Sequence, residues 1–139
     1  MQQVEIYIDG SCLNNGQPDA SAGWAVIVKG DTETNLSGKL PGEKQTNNRA
    51  EIYALQKALE WVQEHPEVKV SIYSDSKIAI DGILGKSQRK ANRDIWVEIE
   101  KLCPLIAGQL TEVKHVERNQ NREADELARR SANALLIFD

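Results

Sequence analysis

The strongest constraint on this chain is a phrase that occurs twice. EIYID at residues 5–9 and SIYSD at residues 71–75 each carry strand-forming residues straight into an acid, so Ile-Tyr-x-Asp stands at Ile6–Asp9 and again at Ile72–Asp75. Asp is depleted in strands because its side chain competes for backbone hydrogen bonds and resists desolvation. A single such Asp is explained as a strand end or as a cap on the next element. Two of them in the same setting call for a shared cause. If the two strands are parallel neighbours, equivalent positions lie ~4.8 Å apart, and Tyr7/Asp9 and Tyr73/Asp75 project to one face. Like charges at that separation repel and drive up one pKa, so the pairing makes sense mainly with a cation between them.

The intervening sequence allows that pairing. VEIYIDGS, AGWAVIVK and TETNLSGK read as three strands between Val4 and Lys39, divided by turn-rich stretches at residues 14–21 and 30–31, which makes an antiparallel meander. From Asn47 to His65, Ala50, Ala54, Leu55, Ala58, Leu59 and Val62 recur at helical spacing, with Thr46 as N-cap and Pro66 as stop. VKVSIYS is a fourth strand and SKIAIDGIL a short helix ending near Gly85. Asn92 to Ile106 forms a second long helix, QLTEVKHV is extended, and Ala124, Leu127, Ala128, Ser131 and Leu135 mark one face of a last helix. The order βββαβααβα predicts an α/β fold, a mixed sheet flanked by helices, with the fourth strand able to lie parallel to the first.

The 139 residues fit one domain spanning 1–139, and no apolar run approaches the ~18 residues of a membrane span. MQQVEIYID opens directly into a strand pattern without the basic and apolar regions of a secretory signal, so a cytoplasmic location is expected. Cys12 and Cys103 are too few and too far apart for a metal motif; two reduced thiols are expected, and a disulfide stays open from sequence. The formal charge of −4 argues against a nucleic-acid partner unless bound divalent cations offset it.

Two further acids occupy inward positions. Glu51 in TNNRAEIYAL precedes Ala54 and Leu55 by three and four residues, on the core stripe of its helix. Asp125 in NREADELARR leans the same way ahead of Ala128, whereas Glu123 and Glu126 can face water. Each alone is explained as a first-turn acid favoured by the helix dipole. A shared cluster of hard oxygen ligands suits Mg²⁺ or Mn²⁺, which bind carboxylates together with water and substrate phosphate.

YIDGSCLNNG, QTNNRAEIYAL, IYSDSKIAIDGI and HVERNQNREADELAR stand in the order and context of the type 1 ribonuclease H family, which nearly the whole chain resembles. The resemblance implies a five-stranded mixed sheet and an endonuclease that cuts the RNA strand of RNA/DNA hybrids. Asp9, Glu51, Asp75 and Asp125 are then the metal-binding acids, and His115, ten residues before Asp125, the mobile catalytic histidine. Two ions ~3.5–4 Å apart would activate a water and stabilise the departing 3′ oxygen, leaving 5′-phosphate and 3′-hydroxyl ends. Asn15, Asn47 and Asn48, with backbone around Cys12, match positions that read the hybrid, where a 2′-OH both donates and accepts. Thr46 and Asn92 resemble a pocket for a DNA-strand phosphate, and Lys44 adds charge there. The expected partner is the hybrid, with no membrane and no organic cofactor, and the expected state is a monomer.

The chain also departs from the family. Many members insert a basic, Trp-rich protrusion where this sequence has only LGKSQRKANRD, and aromatic positions facing the DNA strand are Ile78 and Lys86 here. Lys86, Arg89, Lys90 and Arg93 are expected to compensate electrostatically, and the apolar tail at 135–138 to pack on the sheet. Two other readings stay open from sequence: a nuclease for double-stranded RNA, and a module that binds hybrids without cutting them.

Overall fold

β-Branched residues and close turns shape the N-terminal third into β1 (Gln2–Leu13), β2 (Ser21–Lys29) and β3 (Glu33–Lys39), paired antiparallel in sequence order. The computed structural model describes residues 2–134. Next comes α1 (Asn47–Glu64), whose N-terminus is capped by the Thr46 hydroxyl accepting the Arg49 N–H at 3.1 Å. Its inward stripe buries Ala54, Leu55, Ala58, Leu59 and Val62.

β4 (Val68–Ser74) returns parallel to β1, in register Ile6 to Ile72, Tyr7 to Tyr73 and Ile8 to Ser74. The repeated phrase therefore stacks on itself, with the two tyrosine rings 5.2 Å apart. α2 (Lys77–Ile83) and α3 (Arg93–Ile106) lead to β5 (Leu110–His115), parallel to β4; a 3-10 turn at Arg118–Gln120 and α4 (Arg122–Ala132) close the described chain. The sheet order is β3-β2-β1-β4-β5, the mixed five-stranded sheet expected.

Two glycines set the layers. Gly10 lies against the first turn of α1 and Gly23 against the last turn of α4. Gly23 pairs with Ser11, the neighbour of Gly10, so strand alternation places the two helices on opposite faces. Ile6, Ile8, Ile72, Leu55, Leu59 and Ile99 are buried in the main core, each contributing about 1.5–3 kcal/mol of burial.

Several sequence expectations shift. The strand after Gly108 begins at Leu110; Gln109 before it is buried, and its amide donates to the carbonyls of Val62, His65 and Val68 at 2.8–3.1 Å, tying the end of α1 to β4. Asn92 precedes α3 in a left-handed conformation, φ 58°, without a side-chain cap. Of the four basic residues expected to be available to substrate, Arg89 is packed inside and Arg93 is ion-paired at the surface. Arg89 donates to the Gly82 carbonyl and Glu100 and sits 5.1 Å over the Trp96 ring, while Arg93 is held by the same Glu100 at 3.0 Å. Lys86 and Lys90 remain exposed. Leu135 and the tail at 135–138 lie outside the described residues. No helix among the described residues is long and apolar enough to cross a membrane.

Candidate active site

Parallel register carries Asp9 and Asp75 to adjacent positions just beyond Ile8 and Ser74. The close approach of α1 over Gly10 adds Glu51, which lies just past the helix's first turn rather than in it. Ligand oxygens of Asp9, Glu51 and Asp75 all lie within 4.8 Å of one another. The pocket around them is also lined by Ser11, Asn47, Asp125, Arg118 and Arg129. Asp125 thus reaches the same pocket from α4 but stands outside the three-acid group. Its two carboxylate oxygens face Arg129 at 3.1 Å and Arg118 at 3.8 Å.

The cluster is strongly unfavourable as bare anions. Asp9 is 3% exposed, and its carboxyl is pushed up to about 9 by burial first, then by the charges of Asp75 and Glu51 and by hydrogen bonding with Asp125 and Asp75. Glu51 is pushed up to about 7 by burial, against a lowering hydrogen bond from Ser76 and with a further rise from Asp75. Hard, partly buried carboxylates that resist ionising together fit a divalent cation such as Mg²⁺ or Mn²⁺, whose charge removes the repulsion.

Two groups that sequence reasoning missed hold these acids. The Ser76 hydroxyl caps α2 by accepting from Ala79 N–H at 3.3 Å and also bonds Glu51. Buried Asn121 donates from one amide nitrogen to the Ile8 carbonyl at 2.9 Å and to Asp75 at 3.4 Å, linking β1, β4 and the start of α4. The cap role of Ser76 is local, but its bond to Glu51 and both contacts of Asn121 are remote in sequence and leave no local signal. Arg129 did leave one, an i,i+4 spacing from Asp125.

His115 is exposed at the end of β5, with Nε2 3.2 Å from the Asp75 carbonyl, and opens towards Tyr7 and Tyr73 rather than into the acid pocket. Asn47 lines the rim of the acid pocket, and the Asn15 side-chain oxygen accepts its N–H at 3.1 Å; Asn48, next in the chain, is exposed. Cys12 is half-buried, its thiol 3.6 Å from the Gln45 carbonyl, and neither it nor Cys103 is in a disulfide. Lys44 and Asn92 line a separate cleft with Arg49 and Arg93, in which the Asn92 side-chain oxygen accepts from Arg49 at 3.3 Å and Arg49 also grips Asp94. Thr46 contributes through its cap rather than as a wall of that cleft.

Acids placed just past the paired stretch of two parallel central strands, joined by one from the first helix, in a sheet of order 3-2-1-4-5, define the ribonuclease H-like class. A family model described as RNase H matches residues 1–133. A ribonuclease H of Moorella thermoacetica is 33% identical, covering 97% of this chain and 95% of its own length. Human ribonuclease H1 is 34% identical over 93% of this chain, which spans 50% of that protein. Among solved structures, LC11-RNase H1 in complex with an RNA/DNA hybrid superposes with a TM-score of 0.75 at 26% identity, covering 94% of this chain and 96% of that one. RNase H1 from Halobacterium salinarum does so at 0.70 and 25%, covering 94% and 98%. The chain belongs to the ribonuclease H family, as an RNase H1-like hydrolytic nuclease.

Proposed function

We propose that this protein is an endonuclease that hydrolyses the RNA strand of RNA/DNA hybrids, with Asp9, Glu51, Asp75 and Asp125 holding two divalent cations, Mg²⁺ or Mn²⁺. The observation that carries the reading is the three-acid cluster within 4.8 Å, built around a buried Asp9. When bound, the ions supply an activated water and charge stabilisation at the scissile phosphate and its departing 3′ oxygen, giving 5′-phosphate and 3′-hydroxyl ends. The chain's own groups do the positioning. Ser76 and Asn121 orient Glu51 and Asp75, and the acids lie on two strands and two helices whose packing limits their movement. Asn15, Asn47 and Asn48, beside the acids, offer amides that can both donate to and accept from a ribose 2′-OH. Lys44, Asn92 and the start of α1 at Thr46 receive a phosphate of the DNA strand. Hybrid as the substrate class is supported by the complex formed by the similar LC11-RNase H1.

The deciding experiment is cleavage of labelled RNA paired with DNA, beside the same RNA paired with RNA, in Mg²⁺, Mn²⁺ or EDTA. Cutting confined to the hybrid and dependent on cation supports the proposal. Cutting of the RNA duplex alone, or hybrid binding without any cutting, replaces it with one of the two other readings.

His115, exposed and placed against the Asp75 carbonyl, moves protons or helps release the product phosphate, and no protein side chain is the nucleophile. His115→Ala is expected to slow turnover by ~10²-fold, the low end of the range of one general acid–base group. Single-turnover rates for His115→Ala and Asp9→Asn should therefore differ widely; equal losses contradict the division of roles.

With Arg89 and Arg93 held by Glu100, hybrid binding rests on a small set of free cations. Anisotropy titrations between 50 and 200 mM salt, about a fourfold range, are expected to give a log–log slope of roughly −2 to −4. A flat dependence would show that phosphate contacts do not dominate.

A further inference from the structure

Arg118 and Arg129 are two cations in a pocket otherwise built to hold cations. They line it with Asp9, Glu51 and Asp75, and each faces a different oxygen of Asp125, the acid that joins this cluster through its hydrogen bond with Asp9. Their side chains are 69% and 54% exposed, against 20% for Asp125. Arg49 and Arg89 differ: each is mostly buried and held by carboxylate and other polar partners. The Arg129 side chain in its i,i+4 pair with Asp125 is more than half exposed, so it can leave the carboxylate for another anion without being dragged out of a buried site. A guanidinium pairs with phosphate through the same planar donors it presents to a carboxylate.

Resting on the metal-dependent cleavage proposed above, we infer that Arg129, assisted by Arg118, is a counter-ion exchanged between Asp125 and the substrate. In the free protein the guanidiniums occupy the Asp125 carboxylate. When a divalent cation takes that carboxylate, Arg129 is released towards a phosphate of the bound strand. Arg129 is thereby a positioning residue for both ligands, with opposite effects on each: it competes with the metal and aids the nucleic acid once metal is bound.

The test uses Arg129→Gln, with Arg130→Gln as a control. Arg130 lies on the same helix, its loss changes net charge equally, and it pairs outward with Glu126 at 4.0 Å. Calorimetric titration of the protein alone with Mn²⁺ should show Arg129→Gln binding ~3- to 5-fold tighter, as expected for removing a unit charge a few ångströms away in a solvated pocket. Anisotropy with a labelled hybrid in Ca²⁺, with the RNA verified intact on gels, should show Arg129→Gln binding ~3- to 5-fold weaker and a salt slope shallower by ~1. In EDTA, where Asp125 retains its arginines, wild type and variant should bind the hybrid alike. Arg130→Gln should track wild type throughout. Unchanged or weaker Mn²⁺ binding in Arg129→Gln overturns the exchange, as does an unchanged hybrid affinity in Ca²⁺ or an equal loss in EDTA. If the wild type itself binds neither Mn²⁺ nor Mg²⁺, the metal-dependent function fails rather than the role of Arg129.

Discussion

Replacing Asp9 by Asn is expected to abolish hybrid cleavage, by ~10³-fold or more, while making the metal-free protein more stable. The two effects share one cause. The Asp9 carboxyl is pushed up to about 9 and that of Glu51 to about 7, against ordinary values of 3.8 and 4.5. As pH rises, the unfolded chain releases these protons first and the folded chain later. The contribution of the two acids to metal-free stability is therefore fully present below pH ~4 and is lost as pH climbs through 7 and then 9. Asn at position 9 keeps the shape, carries no charge, and frees its neighbours to ionise. A gain of ~2 kcal/mol at pH 8, roughly 6–10 °C in melting temperature, is the expected scale. Mg²⁺ should reverse the ranking, stabilising the wild type far more than the variant. Thermal melts at pH 5 and pH 8, with EDTA or Mg²⁺, check this directly. A variant less stable than wild type in EDTA at pH 8 would sink the view that this cluster is held together against its own repulsion.

How much of that site could be read from the chain varies with the range of the contacts. Ile-Tyr-x-Asp written twice specified the parallel pairing of β1 and β4, because a one-residue slip would send Ile6 and Ile8 to the opposite face. Glu51 was legible because helical spacing ties it to Ala54 and Leu55 and the Thr46 cap sets where that spacing starts. Asp125 was legible as an inward acid, but its hydrogen bond with Asp9 and its pairing with Arg118 were not, since both depend on how α4 and the turn before it sit in three dimensions. The basic linker illustrates the opposite error. Arg89 looks like a solvated charge in LGKSQRKANRD, yet Glu100 and the face of Trp96 on the next helix draw it inward, while Arg93, exposed at the start of that same helix, pairs with the same Glu100. Ser76, Asn121 and Gln109 are common polar residues whose importance comes from burial, and burial at single polar positions has no signature in a local pattern.

Gly10→Ala is expected to produce the largest loss of stability of any single-methyl change at the site. A Cβ on Gly10 would lie 2.3 Å from the Glu51 nitrogen, 2.4 Å from the Ala50 carbonyl carbon and 2.8 Å from the Glu51 Cα. All three are backbone atoms of α1, so no rotamer change relieves the clash and the helix must lift from β1. Overpacking of that kind costs about 3 kcal/mol, roughly 10 °C in melting temperature for a chain of this size. Lifting α1 also carries Glu51 away from Asp9 and Asp75, and a shift of ~1 Å among aligned catalytic groups is enough for a ~10²-fold loss in rate. Gly85→Ala separates this packing effect from a general penalty for removing glycine. Gly85 has φ +74° and nothing within 4 Å of its added Cβ, so alanine there meets only backbone strain of about 1–2 kcal/mol and leaves the acid cluster in place. Denaturant titration and single-turnover cleavage by the folded fraction distinguish the two. A Gly10→Ala protein as stable and active as wild type would mean that α1 tolerates displacement, and that placement of Glu51 beside the strand acids does not depend on the missing side chain.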